Sequence, residues 1–339
     1  MKYILLTLIL AQNLWTKDTI NVVTSIPSIK SIVEEIGGNY VKVNSIGKAK
    51  QNPHYVSVKP SFVKLVKRAD LVVVSGLDLE VAWMPLLIKK SNNRRVFKGT
   101  SGYLDLSIGI EPLQVIGGVI TRKMGDVHGS GNPHYFVSPF QVLGLIPLVT
   151  KSLIAIKPNL KKELLINSKQ FQEKLGHKIF GRELATKYNV DKLLKLHKIK
   201  KLDKFLSQSN QKGLLGGWVK LLKPFQNLNF WEDHSSYSYF MEDFSLNRVG
   251  ALEPKPGIMP SFRSLSKLIL KMKKTKSLAV LSSSFFPKKF LDFVKSNSSL
   301  KVIQLSHQLG SRSASGSYIS WIDYNVNQMV NTLGSKSAK

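Results

Sequence analysis

Seven histidines are the side chains best able to do chemistry here: His54, His128, His134, His177, His197, His234 and His307. Cysteine is absent, so the sequence offers no thiol nucleophile, thiolate metal site or disulfide. A bound metal would have to use His, Asp, Glu or backbone oxygen. His54 and His134 stand in the same tetrapeptide, Asn52-Pro53-His54-Tyr55 and Asn132-Pro133-His134-Tyr135. Each falls in a predicted loop, where the proline restricts the backbone just before the imidazole. That suits a ligand held in position before its metal arrives. His234 ends the run Trp231-Glu232-Asp233-His234, and His307 follows the apolar run 301–305. Both runs read as strands, and strand C-termini are where α/β sheets present binding groups. Two loop histidines of the first half would then face two strand-end histidines of the second. Four imidazoles complete a tetrahedral shell around zinc, with Zn–N near ~2.0–2.1 Å. Neutral imidazole suits zinc and other borderline metals better than calcium or magnesium. His177 and His197 sit in Lys-rich helical stretches and read as surface residues. His128, within 124–131, reads as part of a plain Gly-rich loop, the other reading being a short His- and acid-bearing loop with His128 and Asp126.

The elements that would position these residues alternate. Residues 20–25 are β-rich, 29–36 helical up to Gly37-Gly38, 40–43 a strand, 61–67 a helix, and 69–75 an apolar strand ending at Gly76. Residues 139–188 are mostly helical, with a break near Pro158 and one long helix expected over 159–188. Strands follow at 228–231, 249–252, 278–282 and 301–305, with helices at 262–274, 287–295 and 318–333. Short apolar strands alternating with helices indicate parallel sheets covered by helices. The expected fold is α/β, with two lobes, each a mainly parallel sheet flanked by helices, joined by a long connecting helix. The boundaries expected are a leader at 1–16, a first lobe at 17–145, a helical connector at 146–188 and a second lobe at 189–339.

The chain has 339 residues, 43% of them hydrophobic, enough for two cores. Its formal net charge is +29. Nucleic-acid binding is not indicated, because the lysines are spread along the chain and no zinc-finger, RRM or KH signature occurs. A solvated Lys-rich surface is expected, with a weak, salt-screened attraction to anionic membranes. Lys2, the apolar run 3–11 and the polar exit 12–17 read as a signal peptide, too short to span a bilayer. Cleavage between residues 11 and 17 would export the chain to the periplasm. With no cysteine for lipid attachment, a lipoprotein is not expected. No other stretch of 18 apolar residues occurs.

Several ordered motifs resemble those of the metal-binding receptors of zinc and manganese ABC importers, the cluster A-I substrate-binding proteins of zinc-uptake type. Asn52-Pro53-His54 and Lys59-Pro60-Ser61 match a D-P-H loop followed by a Pro-Ser helix start. Ala69-Asp70-Leu71-Val72 and Gly76-Leu77-Asp78-Leu79-Glu80 match the "ADLV…GLxLE" strand. Asn132-Pro133-His134 through Pro139 matches a second D-P-H loop, and His234 with Tyr239 a histidine followed five residues on by an aromatic. Glu253-Pro254-Lys255-Pro256-Gly257-Ile258-Met259-Pro260-Ser261 is nearly literal, and Tyr318-Ile319 with Asn325-Val326 matches the closing motif.

The resemblance implies a function of capture and release, with no catalysis. A divalent transition metal, zinc foremost and manganese or iron as the alternative, would be held between the lobes. It would then pass to the membrane permease of an ABC importer. The chain is expected to be a monomer that binds no nucleic acid. His54, His134 and His234 fall on the family's three histidine ligands. His307 occupies the position of the fourth, where the family usually has Asp or Glu; a water or Glu80 is the alternative. An all-histidine set favours zinc over manganese, whose sites usually include carboxylate. Asn52 and Asn132 replace the family's Asp and remove a charge that would raise imidazole basicity, so lower affinity is expected. A surface adhesin or scaffold with weak metal binding is the other reading. A zinc hydrolase would need an open coordination position and a general base. No His-Glu-x-x-His occurs, and only Glu232 and Asp233 lie near His234 in sequence.

Overall fold

The computed structural model describes residues 19–116, 128–255, 257–312 and 316–334. The expected leader at 1–16, and residues 124–127 of the loop at 124–131, lie outside the described residues.

The first sheet is built from β1 (Ile20–Thr24), β2 (Val41–Ser45), β3 (Leu71–Val74) and β4 (Tyr103–Asp105) in the order β2-β1-β3-β4. All its pairings are parallel. The second contains β5 (Asn229–Glu232), β6 (Asn247–Ala251), β7 (Ala279–Ser282) and β8 (Lys301–Gln304) in the order β6-β5-β7-β8, again parallel throughout. The two sheets thus repeat one strand order, although their sequences differ. β3 and β7 are buried at every position, as expected of strands covered on both faces. Proline opens the helices Pro27–Gly37, Pro60–Lys67 and Pro139–Ile156, where its missing N–H costs no helical hydrogen bond.

Each sheet has an outer core of its own. Val23, Val72, Val74, Trp83 and Leu87 pack outside the first sheet. Trp231, Val280, Leu265, Ile269 and Val294 pack outside the second. The inner faces share a single apolar cluster that runs from Ile20 to Leu333. The helices Pro139–Ile156, Lys161–Phe180 and Tyr318–Leu333 contribute Phe140, Phe180 and Trp321 to it. Pro139–Ile156 is long and apolar enough by composition to cross a membrane. In this fold Phe140, Leu143, Ile146, Val149 and Leu153 lie in that shared core. The last helix also reaches the first lobe: Tyr318 N donates to Ser31 Oγ at 2.9 Å, and Tyr318 OH to the Phe136 carbonyl at 2.8 Å.

The long helix expected over 159–188 is two helices, Lys161–Phe180 and Arg182–Lys187. Gly181, at φ +88°, separates them, and a Cβ there would come within 2.6 Å of Gly216 Cα. The break is therefore a backbone-to-backbone contact that requires glycine. β4 has no counterpart among the expected strands. With three residues and a buried Leu104 between half-buried neighbours, it carries too little apolar pattern to be read.

Candidate metal centre

The two Asn-Pro-His loops fold alike. Asn52 Oδ1 accepts the His54 N–H at 3.0 Å, and Asn132 Oδ1 accepts the His134 N–H at 2.8 Å. Each is an Asx turn in which a side-chain carbonyl holds the backbone of the following histidine. The prolines between them are pinned by their own carbonyls. Buried Trp83 donates its indole N–H to the Pro53 carbonyl at 3.1 Å, and Ser75 Oγ donates to the Pro133 carbonyl at 3.1 Å. Ser75 follows β3 directly, so the sheet edge sets the position of the second loop. Tyr239 reaches over from the second lobe, its hydroxyl donating to the Asn132 carbonyl at 2.9 Å and accepting from Leu113 N at 3.0 Å.

His234 lies just beyond β5 and is held by carboxylates. Glu253 Oε2 lies 2.8 Å from His234 Nδ1 and also accepts the Gly257 N–H at 2.8 Å. Buried Asp233 accepts His234 N at 2.6 Å through one oxygen and, through the other, Ser283 N at 2.6 Å and Ser283 Oγ at 2.8 Å. Glu232 accepts Tyr237 N and Ser238 Oγ and pairs with Arg248. The two acids nearest His234 in sequence are thus engaged in holding the loop.

These loops bring three histidines together. His134 Nε2 lies 3.2 Å from His54 Nε2 and 3.2 Å from His234 Nε2. One ligand atom from each of the three lies within 4.8 Å of the others. A tetrahedral zinc with Zn–N bonds of ~2.0–2.1 Å has N···N edges of about 3.3–3.4 Å. Two of the three edges therefore already have the length that one ion requires. A cavity of about 250 Å³ touches His134 and His234 and is bordered by exposed Val115 and Ile116.

The charge state suits a cation. Burial, reinforced by the neighbouring His234, holds His54 and His134 well below the ordinary imidazole value, so both are neutral near pH 7. Burial works to lower His234 as well, but the hydrogen bond and charge of Glu253 outweigh it and leave His234 raised. Nδ1 faces Glu253, which directs Nε2 toward the other two rings, an outer-partner arrangement common for metal-ligating histidine.

Other sequence candidates are placed differently. His307 is buried beside the triad but is not one of the three converging ligands: Nδ1 lies 3.1 Å from Ser284 Oγ, and the Phe285 ring neighbours both His307 and His234, with centroids 4.8 and 5.7 Å away. Its buried Nε2 makes no well-formed hydrogen bond among the described residues, although the Gln51 carbonyl is close enough to raise its proton affinity. Burial dominates and pushes His307 down to about 3. Glu80 caps the end of β3 instead of facing the triad; its oxygens accept Ser75 N at 2.7 Å and Gly76 N at 3.1 Å. His128 stacks on the His54 ring at 4.8 Å and stands edge-on to His134 at 6.4 Å, which places it beside the triad. Its place six residues before His134 in the same loop was the available signal. His177 is half-buried. His197 is also half-buried, not fully exposed: it stacks on Phe140 at 3.8 Å, and burial pushes it down to about 4. A cavity of about 450 Å³ lies beside His197, but its ions pair among themselves, Lys200 with Glu242 at 3.2 Å and Lys223 with Asp203 at 3.7 Å.

Comparison with known proteins places the chain in a family. The chain is 27% identical over 164 residues to the "Manganese ABC transporter substrate-binding lipoprotein PsaA" of Streptococcus pneumoniae, covering 48% of this chain and 49% of that one. It thus spans about half the length of the streptococcal relatives it matches. Over 335 residues it is 21% identical to the "High-affinity zinc uptake system protein ZnuA" of Yersinia pestis, covering 92% and 91% of the two chains. In fold it is similar to a crystal structure of ZnuA, with TM-score 0.68, 20% identity and 94% and 100% coverage. It is also similar to the Mn-bound periplasmic metal binding protein from candidatus liberibacter asiaticus, with TM-score 0.65, 20% identity and 92% and 99% coverage. The family described as "Zinc-uptake complex component A periplasmic" matches residues 22–179 and 216–332. With its two like sheets and a histidine triad between them, the chain belongs to that family.

Proposed function

We propose that this chain captures a divalent transition metal, zinc foremost, between its two lobes and hands it to the membrane permease of an ABC importer. The observation that carries the reading is the convergence of three Nε2 atoms, with 3.2 Å edges, from loops of both lobes. The metal is cargo here. His54, His134 and His234 would hold it, and the fourth vertex would be taken by His307 or by water. An all-imidazole set leaves the ion its full double charge, which suits zinc better than manganese. The exported chain would work outside the cytoplasm as a monomer, with a leader to residue 16, lobes at 17–145 and 189–339, and a connector at 146–188. The family's members act in transport, and the engagement of Glu232 and Asp233 supports a non-enzymatic role here too.

Equilibrium dialysis tests this. One zinc per chain is expected, and none in the His54→Ala/His134→Ala variant; no uptake by the wild type, or full uptake by the variant, would overturn the reading. Manganese is the second reading, favoured by the streptococcal relatives, whose names specify it. Dialysis against both metals decides between them, and manganese retained over zinc would displace the zinc assignment.

A further inference from the structure

Lysines occur along the whole chain, but in one segment almost no acid offsets them. From Lys255 to Lys301 there are eleven Lys and Arg residues against one acid, Asp292. That acid pairs with Lys288 at 2.6 Å. Much of the excess lies on the helix Phe262–Lys274, which packs against the outside of the second sheet through Leu265, Ile269 and Met272. Arg263, Lys267, Leu270 and Lys274 stand at helical spacings i, i+4, i+7 and i+11, so they form one stripe directly opposite the buried one. All four are exposed, and Leu270 is 61% exposed in the middle of three cations. At the start of the helix, Ile258, Met259 and Phe262 are also exposed, at 40%, 42% and 47%. Lys271 turns inward over the Trp231 ring at 5.6 Å and is not part of the outer stripe.

A solvated lysine surface explains the cations but not the protruding apolar side chains among them. Cations flanking exposed Leu, Phe, Ile and Met are the composition of a face that rests in a lipid headgroup layer. We propose that this outer face of the second lobe docks on an anionic phospholipid surface. Arg263, Lys267 and Lys274 would meet lipid phosphates, and Leu270, Phe262 and Met259 would enter the interfacial layer. The charges are complementary in sign, and no acid of the helix opposes them. Docking also has a direction. The loop before the helix begins at Glu253, which holds His234 and is tied to Gly257. Ile258 and Met259 follow at once, so the metal-site end of the second lobe would sit near the bilayer. The inference does not depend on which metal is bound.

The test is flotation of the full chain with vesicles of phosphatidylglycerol in phosphatidylcholine, and with phosphatidylcholine alone. Binding to the anionic vesicles only is expected, weakening as salt rises. Arg263→Gln/Lys267→Gln/Lys274→Gln should weaken partitioning on the order of a hundredfold, since each cation near such a surface contributes about fivefold. Leu270→Ser should weaken it severalfold at unchanged charge. Lys195→Gln/Lys201→Gln/Lys204→Gln, three exposed lysines on or just before other helices, should change it much less. Equal loss in both triple variants would overturn the proposal in favour of unspecific charge. So would equal binding to phosphatidylcholine, or retention by a DNA duplex with no vesicle binding.

Discussion

Glu253 Oε2 lies 2.8 Å from His234 Nδ1, and both side chains are almost fully buried. No other candidate ligand has a carboxylate at its far nitrogen among the hydrogen bonds of the described residues. Glu253→Gln keeps an acceptor but removes the charge. Outer partners of this kind are typically worth 10–100-fold in metal affinity. Zinc affinity measured against a competing chelator should therefore fall by about 10–100-fold in Glu253→Gln, while circular dichroism stays native. Unchanged affinity would show that the pair is a structural ion pair with no part in binding.

Protons should compete with metal mainly at His234. His54 and His134 are held neutral by burial, whereas Glu253 raises His234 above the ordinary value. Zinc affinity should then decline as pH falls through a value above about 6.5, and Glu253→Gln should move that decline to lower pH. The metal-free chain has the opposite sign. A group whose folded pKa is raised contributes stability that is full below its unfolded value and is lost as pH rises through the folded one. His234 is raised, and burial raises Glu80 and Asp233 to about 7 each. His54, His134, His197 and His307 are lowered by burial and act in the opposite sense up to the ordinary imidazole value of about 6.5, so the metal-free melting temperature should fall only above about pH 7, where the raised groups still titrate. The zinc-induced rise should grow over the same range. Calorimetry with and without zinc checks both, and a zinc effect largest in acid would refute the assignment.

The two asparagines that replace the family's aspartates are not equivalent. Asn52 contributes its Oδ1 to the turn, which an aspartate would do equally well. Asn132 also donates Nδ2 to the Ser235 carbonyl at 2.7 Å and to Gln114 Oε1 at 2.7 Å, a bond from one lobe to the other beside the triad. An aspartate there would set oxygen against oxygen. Asn132→Asp should cost about 1–3 kcal/mol for the buried group left unpaired, read as a lower melting temperature and faster zinc release. Asn52→Asp should leave stability unchanged. Equal effects would mean the lobe-to-lobe bond carries nothing.

Reading the residues alone brought out the strands whose apolar runs are continuous, such as β3 and β7, and the loops marked by proline before histidine. What it lacked were contacts between residues far apart in the chain. His197 looks solvated among Lys195, Lys198 and Lys200, yet its ring lies on Phe140, 57 residues earlier. Gly181 sits unremarked in a helical pattern, because the close approach of Gly216 has no local sign. Glu253 was visible as part of a motif, but its role depends on β5 and β6 running side by side, which sets Glu253 N on the Asp233 carbonyl at 3.1 Å. Asn132 read as a lost charge, and only the position of Ser235 shows what its amide gains.

His307 offers the sharpest test of the fourth vertex. It is buried and neutral, and its Nε2 lacks a well-formed hydrogen bond among the described residues, but it is not among the three histidines whose ligand atoms converge. If His307 completes the shell, His307→Ala should weaken zinc binding more than the 10–100-fold expected of an outer partner. If water completes the shell, the loss should be within a few-fold, because an open coordination position accepts water readily. His307→Asp separates the cases further. A carboxylate at the vertex would lower the charge of the site and admit manganese, so the zinc-to-manganese affinity ratio should narrow by at least about tenfold, or one factor of 1.4 kcal/mol. Competition dialysis of the wild type, His307→Ala and His307→Asp reads all three. An unchanged ratio in His307→Asp, together with a small loss in His307→Ala, would remove His307 from the ligand set and leave the three Nε2 atoms with a solvent-completed shell.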